Sequence, residues 1–213
     1  MSVLHKIAYY QNRRDEIPNQ ELAGELVREQ NFEGIREIAE NLWNHDKNIQ
    51  NDCIKVIYEI GEFQPEYIVP YADDCFQLLR SRNNRMVWGA MTALAAIAVV
   101  KPEIIYEGID KIYSAMETGS VITIDNGVKA LAVVAGRNGE YNQRIVPFLL
   151  SHLRTCRPKE VPQHAEKSIP AINLQNKGRF LEVLHEREND LTLSQMVRVK
   201  KIYKALDRLG EIQ

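Results

Sequence analysis

Apolar and polar positions follow the period of an α-helix along much of the chain, and the whole pattern returns after about 37 residues. The octets "MTALAAIA" (91–98) and "VKALAVVA" (128–135) are nearly identical. Related octets end at residues 61, 173 and 210, so the five end points are separated by 37, 37, 38 and 37 residues. Self-similarity at a fixed spacing of this length is typical of helical repeat proteins. The sequence therefore predicts a stack of similar helical units.

Each octet closes a fifteen-residue segment in which positions eight, eleven, twelve and fifteen share one helix face. Positions eight and eleven are mostly small, whereas positions twelve and fifteen are mostly large and aliphatic. Position twelve, for example, is Ile57, Leu94, Leu131, Ile169 and Leu206. The stretch "IDNG" (124–127) would ordinarily predict a turn. The register instead places Gly127 at position eight, and we predict a helix there.

Helix starts are marked as well. Asp46, Asn83 and Ser120 occupy position one of their segments and are good N-cap residues. Other helical stretches lie between these segments and begin at Phe32, Pro65, Pro102, Gly139 and Lys177. We therefore predict an all-α fold of about five helix pairs in a single domain, residues 1–213. Residues 1–30 are expected to form capping helices, and the repeats are expected to span residues 31–62, 63–99, 100–136, 137–174 and 175–213.

The second helix of each pair resembles that of HEAT repeats, which tends to read DxxVRxxAxxALxxI. The best copies are "DKNIQNDCIKVIYEI" (46–60), "NNRMVWGAMTALAAI" (83–97), "SVITIDNGVKALAVV" (120–134) and "QMVRVKKIYKALDRL" (195–209). The resemblance implies an armadillo-type fold, a right-handed α-α superhelix whose second helices line a concave groove. The consensus Arg at position five is replaced in all five segments. The ladder of Asp and Arg side chains typical of HEAT repeats is therefore not implied.

On an ideal helix, positions six, ten and thirteen of each segment face away from the core and into this groove. Position ten is Lys in four of the five segments. A row of cations beside aromatic rings indicates an anionic ligand, either an acidic peptide segment or a nucleic-acid backbone. The alternative is that these lysines are simply solvated and that Trp88 packs on a neighbour. The candidate binding residues are Lys55, Tyr58, Trp88, Asp125, Lys129, Lys167, Lys200 and Lys204.

Composition sets further limits. Of 213 residues, 45% are hydrophobic and 26% are charged, which is an ordinary globular balance. The longest apolar run, "GAMTALAAIAVV" (89–100), is too short to span a membrane. Three cysteines without a CxxC motif favour neither a disulfide framework nor a thiolate metal site and fit a reducing cytoplasm. The net charge of −2 conceals an asymmetry, because residues 1–136 are acidic and residues 137–213 are basic.

Signatures of catalysis are absent from the sequence: there is no phosphate-binding glycine loop, no GxSxG and no HExxH. We therefore expect no catalytic residues and no cofactor. His152 and Cys156 are four residues apart and share a helix face, with His164 nearby. Because a fourth ligand is not evident, we expect no metal site.

Three hypotheses on function follow. The leading one is a non-catalytic scaffold, a monomer or weak oligomer in the cytoplasm, that binds a protein partner through its concave groove. The alternative is a nucleic-acid-binding protein, since the chain is similar in size and architecture to HEAT-like DNA alkylation-repair glycosylases. That family needs an Asp one turn beyond a Trp, but Thr92 follows Trp88 at this spacing, which leaves Asp125 as the substitute. A third is a structural role in a larger complex through Leu4, Ile7, Tyr9 and Tyr10, with the alternative that these residues only seal the end of the core.

Overall fold

The computed structural model describes residues 2–207, which form α-helices, short 3₁₀ turns and loops and contain no β-strand. By their α-carbon contacts the residues fall into two compact units, an N-terminal unit (1–127) and a C-terminal unit (128–213). Within residues 2–207, no helix combines the length and the apolar character needed to cross a bilayer. The described part of the chain contains twelve α-helices: α1 (Ile17–Arg28), α2 (Phe32–Glu40), α3 (Lys47–Phe63), α4 (Ala72–Leu78), α5 (Asn84–Val100), α6 (Pro102–Glu107), α7 (Ile109–Thr118), α8 (Val121–Ala135), α9 (Gly139–Thr155), α10 (Val161–Ser168), α11 (Lys177–Arg187) and α12 (Leu193–Asp207).

The three predicted N-caps are confirmed. The Asp46 carboxylate accepts a hydrogen bond from the backbone N–H of Asn48 at 2.8 Å, ahead of α3. The Asn83 side chain accepts from the N–H of Arg85 at 3.1 Å, ahead of α5. At the start of α8, the Ser120 hydroxyl accepts from the N–H of Thr123 at 3.3 Å. Each side chain pairs a backbone donor that has no partner within its helix, which fixes where the helix begins.

The second helices of the last two repeats differ from their predicted bounds. The fourth fifteen-residue segment (158–172) is predicted to be one helix, but it is divided into a 3₁₀ turn, α10 and a second 3₁₀ turn, Ile169–Ala171. Pro170 explains the break, because proline lacks the N–H that would continue the helix. The last helix begins at Leu193 rather than at Gln195. Its start is a reciprocal cap in which the Thr192 hydroxyl accepts from the Gln195 N–H at 3.4 Å and the Gln195 side chain accepts from the Thr192 N–H at 2.7 Å.

In the N-terminal unit, α3 packs between α1 and α5, while α2 contacts α3 and α4 contacts α5. The predicted core columns are buried there: Ile57, Ile60, Leu94 and Ile97 have no exposed surface. In the C-terminal unit, α9 packs on α11 and α10 packs on α12.

The columns also hold over most of the C-terminal unit, where Leu131, Val134 and Leu206 are fully buried. Ala205, predicted to be buried at position eleven, is exposed. Leu209, the last predicted core residue, lies outside the described residues.

Gly127 lies inside α8 and is buried, so the helix predicted in place of a turn is confirmed. A Cβ atom at this position would lie 2.5 Å from Sδ and 2.6 Å from Cγ of Met116 on α7. Glycine therefore permits a close approach of α7 to α8 that a larger side chain would prevent.

The end of α9 is held by Arg187 at the end of α11. Its guanidinium donates to the carbonyl oxygens of Leu153 and Arg154, each at 2.7 Å, and to that of Cys156 at 2.9 Å. Nε donates to the Asp190 carboxylate at 2.6 Å. Carbonyls at a helix C-terminus lack partners within the helix and carry partial negative charge. This 8%-exposed cation therefore satisfies three of them and joins two helices of the C-terminal unit.

The contact of Gly127 with Met116 predicts the effect of enlarging the glycine. We expect Gly127→Leu to lower the free energy of unfolding by about 1–3 kcal/mol, because the added atoms overpack the junction of α7 and α8. Urea unfolding followed by circular dichroism measures the change. Gly24→Leu in α1 is the control, since a Cβ there meets no atom within 4 Å. A Gly127→Leu protein as stable as the control would contradict the close-packing argument.

The cap formed by Arg187 predicts a second stability change. We expect Arg187→Ala to cost roughly 3 kcal/mol, because it leaves buried carbonyls without donors. Arg154→Ala is the matched control. Arg154 forms an exposed pair with Glu186 at 2.9 Å, and such pairs contribute about 0–1 kcal/mol. Equal losses of stability in the two variants, measured by urea unfolding, would argue against the cap.

Candidate functional site

The structure departs from the sequence expectation at the start of the lysine row. Lys55 was expected to be exposed in the groove, but it is buried, with 5% of its surface exposed. Its ammonium pairs with Glu16 at 3.1 Å and with Glu59, one helical turn further along α3. Position ten of an ideal helix points away from the core of its own repeat, but here the segment that leads into α1 covers it.

Glu16 is the centre of this charged cluster, because its carboxylate also accepts a hydrogen bond from Arg85 at the start of α5. Partial burial favours the neutral acid, but hydrogen bonds from Arg85 and Lys55 outweigh it and lower the pKa of Glu16. Burial likewise disfavours the Lys55 ammonium, yet hydrogen bonds to Glu59, Tyr58 and Glu16 raise the pKa of Lys55. Both groups therefore remain charged at neutral pH.

The predicted aromatic residues of the groove lie beside this cluster. The rings of Tyr58 and Trp88 are 5.6 Å apart. Lys55 Nζ lies 4.8 Å from the centre of the Tyr58 ring, and the Arg85 guanidinium lies 5.3 Å from that of Trp88. Tyr58 is buried and Trp88 is half-buried. The structure thus brings Lys55, Tyr58 and Trp88 together, but in contacts with the protein's own residues.

Sequence reasoning missed Glu16 and Arg85. Arg85 precedes Trp88 by three residues on α5, a spacing that brings two side chains onto the same helix face. That signal was available in the sequence. Glu16 lies 69 residues from Arg85 in the chain, and no periodicity connects the two.

Thr92, one turn after Trp88, has a structural role. Its hydroxyl donates to the backbone carbonyl of Trp88 at 2.8 Å and accepts from the side-chain amide of Asn126 at 2.9 Å. Asp125 is half-buried on α8. Thr92 therefore stands at the position where the repair glycosylases have an Asp, and its hydroxyl is engaged in hydrogen bonds within the protein.

The remaining lysines of the row lie in the C-terminal unit. Lys129 on α8 and both Lys200 and Lys204 on α12 are exposed, and Lys167 on α10 is half-buried. None of the three exposed lysines has an ion-pair partner within residues 2–207. Several arginines of the same unit are paired instead: Arg154 with Glu186, Arg157 with Glu160, Arg187 with Asp190 and Arg198 with Glu166. On α8 and α12 these three lysines are therefore exposed cations without an ion pair among the described residues.

His152, Cys156 and His164 meet in the C-terminal unit. Nε2 of His152 on α9 lies 3.0 Å from Nδ1 of His164 on α10, and the ligand atoms of all three residues lie within 4.8 Å of one another. Burial raises the pKa of the Cys156 thiol, an effect partly offset by the nearby charge of Arg187. The sequence showed the spacing of His152 and Cys156, but it did not show that α10 returns His164 to them.

Comparison with known proteins supports the fold. No protein-family model matches the chain, and no curated protein matches it significantly. Among solved structures, a computationally designed armadillo repeat protein for modular peptide recognition is 16% identical, with a TM-score of 0.66 over 87% of this chain and 86% of its own. A designed armadillo repeat protein in complex with the peptide (KR)4 is 15% identical over the same shares, with a TM-score of 0.68.

A natural protein is also similar. Kap121p is 15% identical, with a TM-score of 0.64, and the match covers 91% of this chain but 21% of that one. At such identities the likeness shows the fold alone. The predicted class is confirmed, and the chain has an armadillo/HEAT-like, all-α repeat fold.

Proposed function

We propose that this chain is a non-catalytic repeat protein that binds an acidic segment of a protein partner through the lysines of its second helices. The residues that carry the proposal are Lys129, Lys200 and Lys204, with Lys167 between them in the chain. Lys55 and Tyr58 are left out, because they are buried in the cluster around Glu16. Two of the similar structures are designed for or bound to peptides, which supports peptide binding as a use of this fold.

The observation that carries the proposal is the contrast in pairing within the C-terminal unit. Four arginines are neutralised by neighbouring carboxylates, whereas three exposed lysines of the second helices have no such partner among the described residues. Two of them, Lys129 and Lys204, share position ten of their repeats. A repeated cation at equivalent positions of stacked helices is suited to a ligand with repeated negative charge.

The expected strength of binding follows from the exposure of these lysines. An exposed ion pair contributes about 0–1 kcal/mol and is screened by salt. Three or four such pairs give weak, salt-sensitive binding by themselves. A physiological partner must therefore add apolar or backbone contacts, while the lysines set the preference for acidic segments.

The nucleic-acid alternative would use the same lysines against phosphates. Two observations favour a protein instead. The Trp88 ring already contacts Arg85 and Tyr58, so it is a poor platform for stacking a base. Thr92, at the position of the glycosylase Asp, is held by internal hydrogen bonds.

The test is fluorescence anisotropy of labelled octapeptides, (DE)4 and (KR)4, titrated with the full chain at low and at physiological ionic strength. We expect binding of (DE)4 that weakens with salt, and no comparable binding of (KR)4. In the double variant Lys129→Glu, Lys204→Glu the affinity for (DE)4 should fall about tenfold or more, which corresponds to about 1.4 kcal/mol.

The matched control is the double variant Lys177→Glu, Arg179→Glu, which makes the same change in net charge on the first helix α11. Its affinity for (DE)4 should change much less. Equal losses in both variants, or preference for (KR)4, would refute the proposal. Labelled duplex DNA serves as a third probe. If DNA binds more tightly than (DE)4 and its binding depends in the same way on Lys129 and Lys204, the result would refute the peptide proposal in favour of nucleic-acid binding.

A further inference from the structure

We infer that His152, Cys156 and His164 form a binding site for a transition-metal ion of the Zn²⁺ type. The site is independent of the proposed peptide surface. It is built from two elements of the C-terminal unit, the end of α9 and the beginning of α10.

The three donors are placed by the fold rather than by sequence proximity alone. His152 and Cys156 are separated by one helical turn, and Cys156 is the residue that ends α9. His164 lies in the first half of α10, where it is 1% exposed. The loop between the two helices turns α10 back onto α9, so the His152 and His164 rings lie with their centres 4.9 Å apart.

The three donor atoms lie near enough to one another to be compared with a tetrahedral site. Zinc binds imidazole nitrogen at about 2.0–2.1 Å and thiolate sulfur at about 2.3 Å. In a tetrahedron these bonds place two nitrogens about 3.3 Å apart and a nitrogen and a sulfur about 3.6 Å apart. The observed separation of the two ring nitrogens is 3.0 Å, and no pair of ligand atoms exceeds 4.8 Å. Metal binding would require the three side chains to rotate until their donor atoms converge on one point.

Two contacts within the cluster would be replaced by coordination. The Cys156 thiol points at the Leu153 carbonyl at 3.6 Å, which is a weak contact. The two rings share one N–H···N hydrogen bond. On metal binding, the thiol proton leaves to solvent, and the proton between the rings moves to the other nitrogen of its ring or to solvent. The metal then occupies the space between three lone pairs.

The surroundings fit such an ion. Two imidazoles and one thiolate select borderline and soft transition metals, whereas Mg²⁺ and Ca²⁺ require oxygen ligands. Arg187 fixes the backbone of Cys156 by donating to its carbonyl at 2.9 Å. Its positive charge is balanced by Asp190 at 2.6 Å. His152 is half-buried, which gives the ion a route from solvent and leaves a fourth position for water.

The role that follows from this placement is a cross-link within one repeat. A bound ion would link the end of α9 to α10. The three ligands converge only in the folded chain, so the ion would bind the folded state more tightly than the unfolded state. Metal binding would therefore stabilise the C-terminal unit.

The test uses the full chain, stripped with a chelator and kept reduced, and titrated with Co²⁺ and then Zn²⁺. We expect one Co²⁺ per chain with the visible bands of tetrahedral cobalt and a thiolate-to-cobalt charge-transfer band. Zn²⁺ should displace the cobalt and raise the melting temperature. In Cys156→Ser the charge-transfer band should disappear, and competition with a chromophoric chelator should show affinity for Zn²⁺ reduced about tenfold or more.

The matched control is His185→Gln, an exposed histidine of the same unit that stacks on Tyr203. It should bind both metals as the unchanged chain does. His152→Gln, at the most exposed of the three ligands, gives a second variant in case Cys156→Ser fails to fold. Absence of tetrahedral cobalt bands in the unchanged chain would overturn the site. Equal binding by His152→Gln, Cys156→Ser and His185→Gln would do so as well.

Discussion

Close packing between helices at small-residue positions is the constraint on which this structure depends. Ala90 and Ala165 have no exposed surface at position eight of their repeats, and Gly127 is buried beside Met116. Large residues at positions twelve and fifteen then fill the space between the helices. In a repeat fold the apolar face of each repeat is buried against a neighbouring repeat. The size that a position keeps from repeat to repeat, small or large, therefore matters more for packing than the exact residue at any one of them. Loss of a small residue at such a contact is costly because the neighbouring helix cannot move away without opening the core.

A stack of repeats leaves polar groups at its ends and junctions that the apolar columns cannot satisfy. Two cationic side chains meet this requirement in different ways. Lys55 is buried with its charge compensated by Glu16 and Glu59, so its removal from water is balanced by two carboxylates. Arg187 instead supplies hydrogen bonds to the carbonyls at the end of α9. Charged residues usually lie at the surface, but Lys55 and Arg187 are both buried.

The charge that the surface presents to a ligand therefore differs from the net charge counted from the sequence, because some charged side chains are buried or paired. Cations of the N-terminal unit that approach the predicted groove, Lys55 and Arg85, are engaged by Glu16. Within the C-terminal unit four arginines are paired with carboxylates, and Lys129, Lys200 and Lys204 are exposed. The same unit contains the convergent donors of His152, Cys156 and His164. The proposed peptide surface and the proposed metal site thus depend on separate features of one unit.

The sequence by itself determined the repeat, its spacing, the first three N-caps and most of the residues of the core columns. It could do so because these properties are local, depending on helical period and on the capping chemistry of residues such as Asp46 and Asn83. It also resolved Gly127 correctly, since the register of five copies outweighed the turn propensity of four residues. The resemblance to HEAT repeats pointed to the class that the solved structures share.

The tertiary structure alone decided which outward positions are exposed. An ideal helix shows that Lys55 points away from its own repeat, but it cannot show that a segment about 40 residues earlier covers it. The break at Pro170 and the earlier start of α12, by contrast, follow from local chemistry that the repeat pattern alone did not predict. The meeting of His164 with His152 and Cys156 depends on the turn between α9 and α10. Such long-range contacts have no period in the sequence, which is why the core could be predicted and most of the sites could not.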